Sequence, residues 1–205
     1  MNPALASSPL HSSAPPDDPA LLRRAAHGDT TAFTTLFQRH YPAIHAFAYR
    51  IALCPAEADD IAQETFVQAA QSLATFRGDA SFKNWLYTIA TNKSRDRFRQ
   101  LTRRARLGDE LATLADTETS GSRSADPTDH ASSVAHATVR EALATLPLPH
   151  REAVALVYFE GLNHAEAARV LDCAESTVSW RVFRARQRLK KILSTCPFVG
   201  TPRHV

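Results

Sequence analysis

Glycine is scarce in this chain, at six of 205 residues. Few positions are left for positive-φ turns, and no run of alternating apolar and polar residues marks a strand. Cysteine is scarcer still: Cys54, Cys173 and Cys196. An odd, sparse set is no disulfide framework. No Cys-x-x-Cys or His-x-x-x-His spacing suggests a metal site, and the thiols read as reduced, cytosolic ones. No cofactor is implied. No apolar stretch approaches ~20 residues, so none spans a membrane. The opening MNPALASSPLHSSAPPDDP lacks a basic region followed by an apolar run, and so does not read as a signal peptide. These absences point to a soluble, cytoplasmic, all-α protein.

What is present is charge in blocks. Apolar residues make up 44% and charged residues 22%, so packed cores are expected. Net charge is only +3, although the isoelectric point is near 8.9. The small total hides strong asymmetry. Residues 85–106 set Lys93, Arg95, Arg97, Arg99, Arg103, Arg104 and Arg106 against Asp96 alone. Residues 181–191 hold Arg181, Arg184, Arg186, Arg188, Lys190 and Lys191 with no acid. Between these blocks, residues 107–138 carry six acids against Arg123. Two basic surfaces joined by an acidic linker suit a protein that meets a polyanion twice.

Periodicity divides the chain in the same places. Residues 1–16, rich in Ala, Ser and Pro, read as a disordered tail. Helical pattern begins at Asp17 to Pro19, an acidic start with an early proline. Gly28-Asp29 reads as a stop followed by an N-cap. Phe33, Leu36, Phe37, Ile44, Phe47, Ala48 and Ile51 then recur at near-helical spacing, with Pro42 a candidate kink and Pro55 a break. A third helix is expected over 56–75, with Ala62, Phe66, Ala69, Ala70 and Leu73 on one stripe. Ser81 caps a fourth, which runs through WLYTIATNKSRDRFRQ. Residues 105–133 lose the pattern and form a polar, flexible linker. It returns over 134–194 as a second, smaller helical domain, before a tail at 195–205. The fold class is all-α, with two small helical domains, 17–104 and 134–194.

Within the second domain, Asn163 to Leu189 fits a helix-turn-helix. HAEAARVL is a short first helix with Ala168 small at a close crossing. Asp172 and Cys173 lie in the turn. Val178 and Val182, at i and i+4, pack the second helix down. Ser176, Thr177, Ser179, Trp180, Arg184 and Arg188 then lie on its other face. In this motif the second helix enters the major groove. Ser and Thr read bases or hold phosphates, and the arginines grip phosphate. A plain helical hairpin with a charged face is the duller alternative, but it does not need small residue, turn and basic second helix together. Trp180 lies off the packed stripe. It is either a core anchor or an exposed contact for a thymine methyl or sugar.

The first domain adds two features. ADDIAQETF places Asp59, Asp60, Gln63 and Glu64 opposite the Ala62–Phe66 stripe. An acidic face repels DNA and so should meet a protein. FRGDASFKNWLYTIATNKSRDRFR interleaves Phe76, Phe82, Trp85, Tyr87 and Phe98 with basic residues, which suits unstacked bases and phosphate. Phe82, Leu86 and Ile89 have the spacing of core residues. Phe76 and Asn92 are not explained that way.

With these segments in this order, the chain resembles the extracytoplasmic-function (ECF, group 4) sigma factors of bacterial RNA polymerase. The likeness rests on DDIAQETF, FRGDASFKNWLYTIATN and LNHAEAARVLDCAESTV before a RAR-containing helix. It covers roughly residues 18–104 and 134–194. The resemblance implies sigma regions two and four, and no catalysis. It implies as partners core RNA polymerase (the β′ clamp helices and β flap), promoter DNA and an anti-sigma factor, at times at the inner membrane. Asp59, Asp60, Gln63 and Glu64 would dock the clamp helices. Phe76, Arg77, Gly78 and Asp79, with Asn92, would capture a base flipped from the minus-ten element, helped by Lys93, Arg95 and Arg99. Ser176, Thr177, Ser179, Trp180, Arg181, Phe183, Arg184 and Arg188 would face the minus-thirty-five element. A stand-alone helix-turn-helix regulator would need an effector pocket or a self-complementary apolar helix. A recombinase would need a nucleophile with clustered arginines in a β-containing domain. Residues 20–104 suggest neither feature of the regulator, and for a recombinase the early serines, Ser7, Ser8, Ser12 and Ser13, fall in the expected disordered tail.

Overall fold

A computed structural model describes residues 17–112 and 130–195, and among them there is no strand. The expected tail at 1–16, residues 196–205 of the expected tail at 195–205, with Cys196, and residues 113–129 of the linker lie outside the described residues. The first domain contains helices α1 (Asp18–Ala26), α2 (Thr30–Ala52), α3 (Pro55–Ser72) and α4 (Phe82–Ala112), with a 3-10 turn at Leu73–Thr75 after α3. The second contains α5 (His130–Ala144), α6 (Leu148–Val154), α7 (His164–Leu171) and α8 (Glu175–Thr195). Helix α4 thus runs past residue 104, and α5 begins before 134.

Local chemistry explains most boundaries. The Asp17 carboxylate accepts the Ala20 amide at 3.1 Å, and Pro19 sits in the first turn of α1. Gly28 has φ +90°, and Asp29 starts α2 by accepting the Ala32 amide at 3.0 Å. The glycine supplies the left-handed turn and the aspartate restores an orphan donor. Helix α2 passes through Pro42 unbroken, and the buried Leu36, His40, Ile44 and Phe47 on either side pin it. Leu53, at φ 60°, ends it, and Pro55 opens α3. Ser81 Oγ accepts the Asn84 amide at 3.1 Å and caps α4.

The α3 stripe is Ala58, Ile61, Ala62, Thr65, Phe66 and Ala69. Ala70, expected on it, is exposed. Leu36, Ile44, Phe47, Leu86 and Tyr87 have no more than 2% exposure. Burying each such large side chain contributes roughly 1.5–3 kcal/mol. In the second domain, Asn163 and Glu166 form a reciprocal capping box at the start of α7, with both bonds at 2.9 Å.

The two domains pack together. One apolar cluster holds Phe47, Leu86 and Tyr87 of the first domain with Ala153, Leu156, Leu162 and Val178 of the second. Helix α7 lies against α4, and the π-helical turn Ala155–Phe159 after α6 lies against α2. Polar contacts bind the same seam. Glu152, fully buried, takes two hydrogen bonds from Arg95, at 2.9 and 2.8 Å. Glu160 accepts from Arg50 at 2.8 Å and from the Tyr87 hydroxyl. Arg151 donates at 2.6 Å to the Ile51 carbonyl at the end of α2, and at 3.1 Å to the Leu143 and Leu146 carbonyls around the end of α5. It thus serves helix-end carbonyls of both domains.

Candidate nucleic-acid interface

The acidic face of α3 is where the sequence puts it. Asp59, Asp60, Gln63 and Glu64 are all exposed. Alternation with the buried stripe fixes this, because residues three and four apart share a face. The face is not purely acidic. Arg97 of α4 reaches across to Glu57 and Asp60 and lies 3.9 Å from Glu64. Its hydrogen bond to Glu57, then its charged neighbours, hold its guanidinium above the ordinary range. Lys93 lies 3.6 Å from Glu64, and His45 lies 2.9 Å from Asp59. Glu57 and Arg97 were not among the residues expected there, and only the packing of α4 on α3 brings them in.

The loop before α4 lines an open cleft of about 840 Å³. Phe76 is half-buried, with its ring 5.0 Å from Trp85 and 5.9 Å, edge-on, from Phe82. Arg77, Gly78 and Asp79 are exposed, and Gly78 has φ +78° with open space where a Cβ would stand. Asp18, Leu22 and Arg23 of α1 and Asn84 of α4 also line it. Glu166 and Arg169 of α7 line the cleft from the second domain. Aromatic rings beside guanidinium groups can stack a base and hold its phosphate. Asn92 is exposed but does not line this cleft. It lies ten residues beyond Phe82, about 15 Å along the helix axis.

The basic residues of α4 diverge. Arg99 is 76% exposed and pairs with Asp96 at 3.1 Å on the surface of its own helix. Lys93 turns to α3. Arg95 turns to the buried Glu152, and that hydrogen bond raises the affinity of its guanidinium for a proton. Burial pushes the Glu152 carboxyl above its usual range, and the opposing pull of Arg95 does not cancel it.

On α8, Val178 and Val182 are buried as expected, and Ala168 of α7 is buried at the crossing. Asp172, at φ 51°, makes the left-handed step of the turn. Ser176, Trp180, Phe183, Arg184 and Arg188 are exposed. Trp180 is 55% exposed, so of its two readings the structure supports the outward-facing one, and its ring lies 5.4 Å from His150. Thr177 and Arg181 are half-buried. Ser179 lies 2.9 Å from His164 Nδ1, which ties α8 to α7. Burial, then Arg181, Arg184 and Arg188, lower the proton affinity of His150.

The architecture by itself defines a class. It is a two-domain helical protein with an arginine-rich helix-turn-helix in the second domain, an acidic face on α3 of the first, and a cleft with an aromatic wall that both arginines and carboxylates line. Comparison narrows this. Residues 36–104 match the family Sigma-70 region 2, and residues 136–189 match Sigma-70, region 4. The RNA polymerase sigma factor NccH of Alcaligenes xylosoxydans xylosoxydans is 36% identical over 88% of this chain and 97% of its own length. The ECF RNA polymerase sigma-E factor of Haemophilus influenzae is 31% identical over 84% and 93%. The solved sigma factor RpoE of Bartonella quintana, in complex with the anti-sigma factor NepR, has a TM-score of 0.63 at 27% identity, covering 79% of this chain and 96% of that one. The chain belongs to the ECF sigma factors of RNA polymerase. It is a sigma factor that directs promoter-specific initiation of transcription, with core polymerase and promoter DNA as its partners.

Proposed function

We propose that this chain is a group 4 sigma factor, acting in the cytoplasm without catalysis of its own. In this reading residues 17–104 are region two and 134–194 region four. The exposed carboxylates Asp59, Asp60 and Glu64, with Gln63, meet the β′ clamp helices, and the second domain meets the β flap. Phe76, Arg77, Gly78 and Asp79 take a base flipped from the minus-ten element, and Asn92, Lys93, Arg95 and Arg99 serve the adjoining strand. Ser176, Thr177, Ser179, Trp180, Arg181, Phe183, Arg184 and Arg188 serve the minus-thirty-five element. An anti-sigma factor is a further partner; the complex of RpoE with NepR supports this by analogy.

One observation carries the reading: an exposed acidic face and an aromatic-walled cleft holding Arg23 and Arg77 share one domain, while a recognition helix occupies the other. A repressor needs only the last. Unstacking a base costs a few kcal/mol, and a dedicated cleft with neighbouring cations offsets it. The test is transcription of fragmented genomic DNA by purified core polymerase with and without the protein, sequencing RNA 5′ ends. New starts sharing two spaced upstream motifs are expected. No new starts, from a folded protein and active core, would overturn the assignment.

A further inference from the structure

One histidine of the second domain has no part in the proposed DNA contacts, yet it touches a residue that does. His150 stands in the first turn of α6, outside the helix-turn-helix. Its ring lies 5.4 Å from that of Trp180 on the recognition helix, inclined at 57°. Its Nδ1 is covered and has no hydrogen-bond partner among the described residues. The ring is therefore held by packing and by the backbone beneath it, not through that nitrogen.

That backbone is rigid. Pro147 and Pro149 fix two φ angles within the three residues before His150. The His150 amide donates to the Pro147 carbonyl at 2.9 Å. Arg151, the next residue, clamps the same turn by donating at 3.1 Å to the Leu143 and Leu146 carbonyls. Val154 of α6 and Ala185 of α8 share one apolar cluster, so the platform keeps its register with the recognition helix.

Trp180 needs such support. An indole at an exposed helix position has more than one staggered rotamer open to it. A rotamer laid over the protein surface would hide apolar area from water and withdraw the ring from the groove. The imidazole takes up one side of the indole and leaves more than half of the residue's surface outward. Burial, then the Arg181, Arg184 and Arg188 charges, favour the neutral imidazole. It packs as an aromatic plate and adds no charge to the reading surface.

We propose that His150 is a positioning residue for promoter recognition: its ring braces Trp180 outward, and the braced indole makes an apolar contact with the upstream element. The proposal rests on the assignment of Trp180 to that element. What the brace supplies is a flat ring. A phenylalanine ring should supply it too, with no unpaired nitrogen, and a side chain without a ring should not. Aromatic pairs at this separation favour one arrangement by a factor of roughly two to ten. Releasing Trp180 lowers apparent affinity by the same factor, because only the outward population binds.

The first measurement uses the full chain alone with Trp85→Phe, which leaves Trp180 as the sole tryptophan. Time-resolved fluorescence anisotropy reads the local motion of the indole, and circular dichroism verifies the fold. With His150 the indole is expected to tumble with the protein. His150→Ala should add a fast local component, and His150→Phe should not. Unchanged motion in a folded His150→Ala variant would overturn the proposal. The second measurement restores Trp85 and uses holoenzyme, with core polymerase, on a promoter fragment recovered from the mapped transcription starts. His150→Ala should weaken binding roughly two- to ten-fold, His150→Phe should restore it, and His150→Ala should add nothing in a Trp180→Ala background. Equal losses in both backgrounds would mark general damage and overturn the proposal. If His150→Ala fails to fold, His150→Gln, which keeps the reach without the ring, is judged by the same readings. The anisotropy needs neither DNA nor polymerase, so a failed sigma assignment would show as missing transcription starts while the restraint on Trp180 persisted.

Discussion

At the scale of single residues, the recognition helix separates into anchors and readers. Val178 and Val182 are spent on packing, and Arg184 and Arg188 project from the opposite side. A phosphate contact by Arg184 predicts that Arg184→Ala weakens binding at the upstream element and reduces the salt slope of log Kobs by about 1. Footprinting across a salt series in the polymerase complex measures both. His150 makes a second prediction. Burial and three arginines depress its proton affinity in the fold, so the folded state favours the neutral ring. Stability from this group is present above the ordinary histidine value of 6.5 and is lost as pH falls through it and on through the depressed native value. His150→Gln should flatten that acid-side loss in denaturant unfolding followed against pH.

At the scale of elements, α7 is a short helix with little length to stabilise itself. Its capping box matters accordingly, and Asn163→Ala should cost about 1 kcal/mol in thermal unfolding. The acidic face of α3 supports a different kind of prediction. Asp60 and Glu64 are exposed, and exposed ion pairs contribute at most about 1 kcal/mol each. Asp60→Lys with Glu64→Lys should therefore leave the helical spectrum intact and abolish core binding in a pull-down. Retained affinity would remove α3 from the docking surface. The element bounds were largely readable beforehand. Asp17, Asp29 and Ser81 announce helix starts because their short polar side chains serve orphan amides within three residues. Pro42 shows in the sequence only as a candidate kink, and that α2 continues through it rests on packing contributed by α1, α3 and α4.

At the scale of the whole molecule, the shared apolar cluster couples the two domains. Leu156 is fully buried in it. Leu156→Ala should cost about 2–5 kcal/mol and lower the unfolding temperature reported by probes in both domains. Loss confined to the second domain would show that the cluster does not couple them. Such coupling is invisible in a local pattern. Arg95 reads as one more cation in a basic run, and Glu152 as one more polar residue in HREAVALVYFEG. They lie fifty-seven positions apart in the chain, yet form a bidentate pair.

The sequence by itself determined the class, the order of helices, the caps, the turn of the helix-turn-helix and the faces of α3 and α8. These follow from interactions between residues three or four apart, which the helical repeat makes legible. Only the tertiary structure decided the rest. It showed that Trp180 points outward, that Arg97 crosses into the acidic face, that Asn92 stands clear of the aromatic cleft, and that Arg95 is taken by Glu152. Each depends on which helix lies opposite. That is set by burial summed over distant segments, and no local window contains it.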